Sequence, residues 1–438
     1  MTKLEQILEK ASDTKALVTG SGVLARVPEM FRNLFPGKRP IIIADPRTFA
    51  IAGERLQQMF VADGLNPDSP YILTAPDLHA EWCFVEELDK VLGATDAVAV
   101  AVGSGTVNDL CKLSSEHNGR RYMTVGTAAS MDGYTAFGAS ITKDGAKQTF
   151  SCRAPLGFVA DIDIIAAAPP QMTASGYADL FAKVPAGADW ILADALGVEP
   201  IDHEAFDTVQ GGLKEALANP EGCRNGDKES IGRLIDGLLY GGFAMQIHKS
   251  SRPASGADHQ FSHLWNMEHH VMADGTMPSH GFQVSIGTLM STALYEQFLA
   301  EDIAGLDIEA CVAAWPALGD ALAEAEDMFR GTDFPSIGEK ELAAKYIDGE
   351  ALRRQLTLLR DNWPEIRERL KAQIVPVEEL RRRLKAVGAP VEPEEIGISR
   401  ERLCRSAYRA YFIRRRFTIL DIAVRTRNLD KWLGRIFE

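Results

Sequence analysis

The sequence predicts an α/β domain in its first part and an all-helical domain in its second part. In the first third of the chain, short apolar segments alternate with segments of helical periodicity, which is typical of a mainly parallel sheet covered by helices on both faces. After about residue 170 the strand-like segments end and amphipathic helical patterns follow. We place the boundary at Pro169-Pro170, so that the predicted domains are residues 1–168 and 169–438.

Five segments of the first domain are predicted as buried strands, because each is short, apolar or β-branched, and bounded by Gly, Pro or Asp. They are residues 40–46, 71–76, 96–105, 121–127 and 158–165. Helical patterns between them lie at residues 50–62, 80–92 and 107–117. In the second domain, residues 229–251, 350–384 and 400–438 are predicted as amphipathic helices.

Length and charge exclude several classes of function. A chain of 438 residues can bury the cores of two domains. Its 47 Lys and Arg residues against 61 Asp and Glu residues give a formal net charge of −14, which argues against nucleic-acid or anionic-membrane partners. The six cysteines are scattered, so we expect neither disulfides nor a thiolate zinc site. Without a signal-peptide pattern or a membrane-length apolar stretch, we expect a soluble, cytoplasmic protein.

A glycine-containing turn follows the third predicted strand. The sequence Gly103-Ser104-Gly105-Thr106 leads directly into a helix that carries Asp109. Glycines allow close backbone approach, and amides at the start of a helix attract phosphate oxygens, so the turn suits the pyrophosphate of a dinucleotide in a Rossmann-like domain. Because the third glycine of the GxGxxG pattern is absent, a tight turn without a ligand is an equal alternative.

Two further strand ends carry polar residues suited to a dinucleotide. Thr127 and Ser130 follow the fourth predicted strand, at the edge where open α/β sheets bind ligands. Asp45 ends the first predicted strand and suits the adenosine ribose, which would favour NAD over NADP because a carboxylate repels a 2′-phosphate. A helix cap is an equally good interpretation of Asp45.

Five of the nine histidines lie between residues 259 and 280, at 259, 263, 269, 270 and 280. His259 and His263 share one face if their segment is helical, and His280 stands at a turn before an apolar helix. Two imidazoles and a carboxylate suit Zn²⁺, Ni²⁺ or Fe²⁺, and Asp179 is the best carboxylate candidate. Spacing alone does not identify these residues as metal ligands. Asp179 and Lys183, for example, are four residues apart and could equally form an ordinary ion pair on one face of a helix.

Several segments together resemble the superfamily of iron-type alcohol dehydrogenases and dehydroquinate synthases, and most closely its bacterial sn-glycerol-1-phosphate dehydrogenases. They are IIIADPRTFAIAG, AVGSGTVNDLCK, TVGTAASMDGYTAFGASI, ASGYADLFAKVPAGADW, SRPASGADHQFSHLWNMEHH, SHGFQVSIGT and the late RRRFTILDIA, in family order over residues 40 to 425. The resemblance implies a dehydroquinate synthase-like fold. It also implies a homodimer or a larger homo-oligomer.

The resemblance also implies roles for individual residues. The metal ligands fall on Asp179, His259 and His280, and Asp132 and His263 lie near nicotinamide and substrate. The turn from Gly103 to Thr106, with Asp109, Thr127, Ser130 and Asp45, matches the cofactor site. Catalysis is thus assigned to Asp132, His263 and Lys183, and substrate binding to Asp132, Asp179 and Arg252. Lys183 and Arg252 are candidates for holding a phosphate, with solvated surface charge as the alternative.

The implied activity is reversible reduction of dihydroxyacetone phosphate to sn-glycerol 1-phosphate with NADH or NADPH and one divalent metal, as in phospholipid metabolism. Glycerol dehydrogenase, or a dehydrogenase of another phosphorylated polyol, is the nearest alternative within the same superfamily. A dehydroquinate synthase is less consistent with the chain, since its several substrate-binding basic residues are not found. From a different class, a non-catalytic NAD-binding sensor would need no metal ligands.

Overall fold

A computed structural model describes residues 3–75, 78–143 and 146–438 of the chain. The chain forms two compact units, each assembled from separate segments. Unit 1 comprises Met1–Leu180, Asp207–Ser251 and Ala386–Gly388, and unit 2 comprises Phe181–Phe206, Arg252–Lys385 and Ala389–Glu438. The domain boundary predicted between residues 168 and 169 stays a prediction.

Unit 1 contains the strands. They are β1 (Ala16–Gly20), β2 (Pro40–Ala44), β3 (Tyr71–Ile72), β4 (Val98–Gly103), β5 (Met123–Gly126), β6 (Ala139–Lys143), β7 (Ala146–Phe150) and β8 (Gly157–Asp161). Six of them form a parallel sheet in the order β1-β8-β5-β4-β2-β3, while β6 and β7 form an antiparallel hairpin. The predicted parallel sheet is confirmed. The sequence analysis missed β1 and the hairpin, and residue 76, the last of the second predicted strand, lies outside the described residues.

The sheet is buried on both faces, as its apolar composition requires. Alternate residues of β2 and β4 belong to two separate apolar clusters, so that Ile41 and Ile43 pack on one side and Ile42 on the other. The fifth predicted strand was too long. It ends at Asp161, whose side chain accepts from the Asp163 amide and caps a short helix in place of the predicted strand end.

The helices follow in chain order. In unit 1, and at its border with the next segment, they are α1 (Lys3–Lys10), α2 (Val27–Leu34), α3 (Pro46–Thr48), α4 (Glu54–Ala62), α5 (Trp82–Gly93), α6 (Gly105–His117), α7 (Ile162–Ala166) and α8 (Pro170–Phe181). Next come α9 (Lys183–Ala195), α10 (His203–Ala216), α11 (Pro220–Arg224), α12 (Lys228–His248), α13 (Ala257–Met267), α14 (His280–Ala300), α15 (Ile308–Ala313), α16 (Leu318–Phe329) and α17 (Ile337–Ala343). The last are α18 (Gly349–Asp361), α19 (Trp363–Gln373), α20 (Val377–Val387), α21 (Arg400–Phe412), α22 (Ile419–Arg425) and α23 (Leu429–Phe437).

Unit 2 is built of helices, and its described residues include no strand. The predicted helix 350–384 is in fact three helices, because Pro364 and Pro376 lie where new helices start. The predicted helix 400–438 is also three helices, and residues 413–418 between the first two are not helical. Across the described part of the chain, no helix has the length and apolar character needed to cross a membrane.

Candidate active site

The carboxyl ends of β2, β4 and β5 meet at one edge of the parallel sheet. These three strands are neighbours, with Ala44 beside Val102 and Gly103 beside Gly126. The chain goes from β2 outward to β3 and returns to β4 on the other side of β2, so the order of the strands reverses between β2 and β4. Such a reversal creates the crevice in which open α/β sheets bind ligands. All three predicted cofactor segments follow these strands.

The predicted pyrophosphate turn joins β4 to the 13-residue helix α6. Ser104 is the N-cap residue, and its side chain makes no capping hydrogen bond, so the first turn of the helix keeps its amide donors. Asp109, on the second turn, accepts from the Ser140 amide of β6 at 3.0 Å and lies 3.4 Å from the Lys112 ammonium. Asp109 therefore ties α6 to the hairpin. Its role beside a cofactor stays a prediction.

Asp45 is the N-cap of the short helix after β2. Its carboxylate accepts from the Arg47 and Thr48 amides, at 2.8 and 3.1 Å, and from the Thr48 hydroxyl at 3.0 Å. The capping interpretation left open by the sequence is thus observed. A carboxylate has about four acceptor positions, so capping and a contact with a ribose are compatible.

The loop after β5 is fixed by close backbone contacts within unit 1. The Thr127 amide donates to the Gly103 carbonyl at 3.1 Å, which joins the two predicted cofactor segments. Helix α8 lies directly on this loop, since a Cβ atom on Gly176 would stand 2.0 Å from the Ala129 carbonyl oxygen. The Asp132 amide then donates to Asp179 Oδ2 at 3.1 Å. The loop after β5 thereby orients the carboxylate that is predicted to bind the metal.

Asp179, His259 and His280 form a group of side chains that can hold a metal ion. Each offers one ligand atom, and these atoms all lie within 4.8 Å of one another. Asp179 and His259 are buried and His280 is half-buried. One carboxylate and two imidazoles are a donor set that fits Zn²⁺, Ni²⁺ or Fe²⁺. The sequence-predicted trio is therefore brought together, and its binding of a metal stays a proposal.

Helices α13 and α14 position the two imidazoles. The ring centroids of His259 and His280 are 5.2 Å apart. This approach depends on Gly287 of α14, where a Cβ atom would lie 2.2 Å from the Asp258 carbonyl oxygen of α13. His280 is the first residue of α14, after the N-cap Ser279, and its Nδ1 lies 3.3 Å from the Ser262 hydroxyl.

Asp258 is a residue of this site that the sequence analysis did not identify. Its fully buried carboxylate is hydrogen-bonded to Nδ1 of His259, so that Nε2 is the nitrogen of His259 suited to a metal. A carboxylate behind a ligating histidine fixes the tautomer and orientation of the ring. The sequence did contain a signal, since Asp258 directly precedes a predicted ligand.

The remaining histidines of the cluster have different surroundings. His263 is half-buried, and its ring centroid is 6.1 Å from that of His259, one turn earlier on α13. His269 is exposed and pairs with Asp333. His270 is buried, with its ring nitrogens 2.9 Å from Arg402 Nη1 and 2.6 Å from the Ile396 carbonyl, and burial lowers its pKa. These contacts give His270 a structural role.

Three basic side chains, those of Lys183, Arg252 and Lys147, are shielded from solvent to different degrees. Lys183, the first residue of α9, and Arg252 are both fully buried. They are therefore not solvated surface charges, which was the alternative interpretation of these two residues. Lys147 of β7 was missed by the sequence analysis. Burial lowers its pKa, and the charges of Asp109 and Asp179 oppose that shift, which brings this ammonium into the surroundings of the site. The hairpin that carries Lys147 was itself not predicted.

The chain is similar to one protein family and to several relatives whose activity is given in their names. The family described as iron-containing alcohol dehydrogenase matches residues 18–169. A glycerol-1-phosphate dehydrogenase of Halalkalibacterium halodurans is 34% identical over 260 residues, which are 58% of this chain and 64% of the relative. The protein of the same name from Methanothermobacter thermautotrophicus is 31% identical over 296 residues, 67% of this chain and 82% of the relative.

Solved structures agree on the fold. A probable glycerol dehydrogenase from Sinorhizobium meliloti 1021 is 16% identical, with a TM-score of 0.59 over 97% of this chain and 99% of that chain. At this identity the similarity concerns the fold alone. The sequence relatives are more informative, because they combine higher identity with coverage of most of their length. The chain belongs to the iron-containing alcohol dehydrogenase family, among the relatives named glycerol-1-phosphate dehydrogenase.

Proposed function

We propose that the chain is a metal-dependent, NAD(P)-linked oxidoreductase that interconverts dihydroxyacetone phosphate and sn-glycerol 1-phosphate. The observation that carries the proposal is the convergence of Asp179, His259 and His280, whose ligand atoms lie within 4.8 Å of one another. The names of the sequence relatives support the substrate pair and the cofactor. A non-catalytic NAD-binding sensor, the alternative from a different class, would not need such a ligand set.

The chain's own residues have separate tasks in this reaction. When bound, the nicotinamide supplies the hydride and the divalent cation polarises the substrate carbonyl. The turn from Gly103 to Thr106 orients the cofactor, together with the loop from Thr127 to Ser130. Asp132 fixes that loop to Asp179 through its backbone amide. His263, half-buried and one helical turn from His259, is assigned the exchange of a proton with the substrate hydroxyl.

Other assignments belong to the same proposal. We assign Lys183 and Arg252 to the negatively charged part of the substrate, and Asp45 to the adenosine ribose, with NAD as the preferred cofactor. Zn²⁺, Ni²⁺ and Fe²⁺ are the candidate metals, a homo-oligomer is the expected assembly, and lipid precursor synthesis is the expected process.

The test is turnover by the purified protein after reconstitution with each metal. We expect oxidation of NADH or NADPH with dihydroxyacetone phosphate, with sn-glycerol 1-phosphate as the product. His259→Ala should lose measurable turnover and most of its metal, whereas His203→Ala, an exposed histidine at the start of α10, should keep both. Glycerol serves as the comparison substrate for the glycerol dehydrogenase alternative. Normal metal content and turnover in His259→Ala would overturn the proposal.

A further inference from the structure

Asp189 is a completely buried carboxylate of α9 that connects this helix to three others of unit 2. Its Oδ1 atom accepts from the Tyr295 hydroxyl of α14 at 2.6 Å and from the Ile419 amide, the first of α22, at 2.7 Å. Its Oδ2 atom accepts from the Ala257 amide, the first of α13, at 2.8 Å. The two helices that carry the histidines of the candidate site therefore both donate to one carboxylate.

Helix α13 begins after a residue that cannot cap it with a side chain. The N-cap residue is Gly256, which lacks the oxygen that ordinarily accepts from the first amides of a helix. A Cβ atom on Gly256 would lie 2.3 Å from Asp189 Oδ2 and 2.8 Å from the Ala186 Cα atom, so α9 fills the space of a capping side chain. Asp189 thus supplies the missing acceptor from another helix, at the positive end of the α13 dipole.

The start of α13 is also the part of this helix that belongs to the candidate metal site. His259 is the third residue of α13, and Asp258, whose carboxylate is hydrogen-bonded to the His259 ring, is the second. The first turn of a helix lacks internal partners for its amides and frays more readily than the interior. The hydrogen bond to the Ala257 amide therefore restricts the movement of both side chains.

Tyr295 extends the same connection to α14, the helix that begins with His280. Burial, followed by the charge of Asp189, raises the pKa of Tyr295 well above its usual value, so that its hydroxyl stays a donor to Asp189. The ring centroids of His259 and His280 are 5.2 Å apart, and this separation depends on how α13 and α14 lie relative to each other. A carboxylate bonded to both helices stabilises that arrangement.

We propose that Asp189 is a positioning residue for the candidate metal site, which it keeps assembled by capping α13 and holding α14 through Tyr295. The proposal rests on the proposed function, because the histidines that it positions are predicted metal ligands. Asp189 is not one of the three side chains that can hold the metal ion. Loss of its charge should therefore alter the metal site without removing a ligand.

The experiment uses Asp189→Asn, which keeps the size of the side chain and replaces one acceptor oxygen by an NH₂ group. We expect the zinc affinity of the metal-free protein, measured by competition with a chromophoric chelator, to fall about 10-fold. The visible absorption of the Co²⁺-substituted protein should also change, because it reports the arrangement of the ligands, whereas lower stability alone leaves the spectrum of the folded protein unchanged. Burial raises the pKa of Asp189 to about 7, so both measurements are made at about pH 8, where the carboxylate is ionised.

Asp161→Asn is the matched control. Asp161 is also a buried aspartate that accepts from three donors, the amides of Gly22, Leu24 and Asp163, but it belongs to unit 1. Both variants should have a lower free energy of unfolding than the parent protein, and only Asp189→Asn should differ in zinc affinity and in the Co²⁺ spectrum. Parent-like affinity and spectrum in Asp189→Asn would overturn the proposal.

Tyr295→Phe is a milder variant, because it keeps both the carboxylate and the cap of α13. It removes one hydrogen bond to Asp189, so we expect its zinc affinity to fall about 2- to 10-fold. A parent-like affinity in this variant would overturn the part of the proposal that concerns α14.

A further measurement needs no metal. Hydrogen exchange of the metal-free, full-length protein should be faster in Asp189→Asn than in the parent protein over peptides that cover the start of α13, and unchanged there in Asp161→Asn. If the parent protein bound no metal, the proposed function would fail, while faster exchange at α13 would still support Asp189 as the residue that holds the turn of His259. Equal exchange in the parent protein and Asp189→Asn would refute the positioning role.

Discussion

The imidazole of His259 is held from the side opposite to its predicted metal. Its Nδ1 is hydrogen-bonded to the buried carboxylate of Asp258, the preceding residue. This contact keeps the ring in the tautomer that offers Nε2, and a partner of this kind also raises the basicity of the ligand. Asp258 is thus a positioning residue for the proposed metal site, although it contributes no ligand atom of its own.

Asp258→Asn should weaken metal binding by about 10- to 100-fold, the usual effect of losing such a partner. The amide keeps the size of the side chain and removes its charge. Affinity is measured by competition between the metal-free protein and a chromophoric zinc chelator, without any activity assay. Asp320→Asn, the same change at an exposed site on α16, should bind zinc like the parent protein. Equal affinities in both variants would show that Asp258 has no positioning role.

Asp45 combines a local structural task with a predicted role in cofactor choice. An asparagine retains the oxygen that accepts from the Arg47 and Thr48 amides, so Asp45→Asn preserves the cap and removes the charge. We expect the ratio of kcat/KM with NADPH to kcat/KM with NADH to rise about tenfold, because a 2′-phosphate no longer meets a carboxylate. Asp307→Asn, at the N-cap of α15, is the control. A ratio that does not move would assign Asp45 to capping alone.

Among single residues, the sequence analysis identified those that belong to a recognisable sequence motif. Asp179, His259 and His280 were found through family resemblance and are close together in space. Lys147 was missed because it lies on a hairpin that was not predicted. Asp258 was missed although it directly precedes a predicted ligand, because its position in the sequence does not show that its carboxylate is buried against His259. Burial separates such residues from solvated ones, and burial of charge is set by tertiary packing.

At the scale of elements, the geometry of the site depends on how closely α13 and α14 approach. Gly287 of α14 faces the Asp258 carbonyl, and a Cβ atom there would be 2.2 Å from the oxygen. Any larger residue must move one helix relative to the other. Because His259 lies on α13 and His280 begins α14, the separation of these helices sets the separation of two proposed ligands.

Gly287→Ala should therefore lower both stability and metal affinity. Overpacking of this kind costs about 1–3 kcal/mol, which urea unfolding of the metal-free protein can detect. Gly232→Ala, in the interior of α12 with no atom within 4 Å of the new Cβ, is the matched control. There alanine should be neutral or stabilising by up to about 1 kcal/mol. If both variants unfolded alike and bound zinc alike, the close contact of α13 and α14 would have no role in the site.

The elements that the sequence predicted are those whose periodicity is local. The core strands β2, β4 and β5 are runs of Val, Ile and Ala between turn residues, and they were found. Strand β1 lies at the edge of the sheet and is only half-buried. In the hairpin strand β6, polar residues alternate with apolar ones. Neither strand therefore has the continuous apolar run that is typical of a central strand. Long charged helices were predicted as single elements, because amphipathic periodicity continues across a break that Pro364 or Pro376 makes.

At the scale of the whole molecule, the formal net charge of −14 matters for an anionic substrate. A net negative field disfavours the approach of a phosphate ester, so recognition requires a local concentration of positive charge. Lys183 and Arg252, which we propose for the negatively charged part of the substrate, are both buried. The grouping of distant segments into two units had no counterpart in the sequence analysis, because sequence periodicity reports on neighbours along the chain and not on segments far apart.

Lys345 links the stability of the molecule to pH. Its side chain is buried, and its ammonium lies 3.1 Å from Asp421 and 2.6 Å from the Tyr411 carbonyl. Burial outweighs the Asp421 charge and lowers the pKa of Lys345 from 10.5 to about 8. Between these two pH values the unfolded chain holds a proton that the folded chain has lost. Stability from this group therefore rises as pH increases from about 8 to 10.5, and the unfavourable contribution is fully present below pH 8.

Lys345→Met should remove this contribution, because methionine fills a similar volume and does not titrate. We expect the free energy of unfolding of the parent protein, relative to that of the variant, to increase by at most about 3 kcal/mol between pH 7.5 and 10.5. Urea unfolding at a series of pH values measures the difference, and groups that titrate in both proteins cancel. Lys371→Met, which removes an exposed lysine on α19, supplies the reference for loss of a surface charge. A difference that stays flat over this interval would mean that Lys345 remains protonated in the folded chain, held by Asp421 more strongly than burial disfavours its charge.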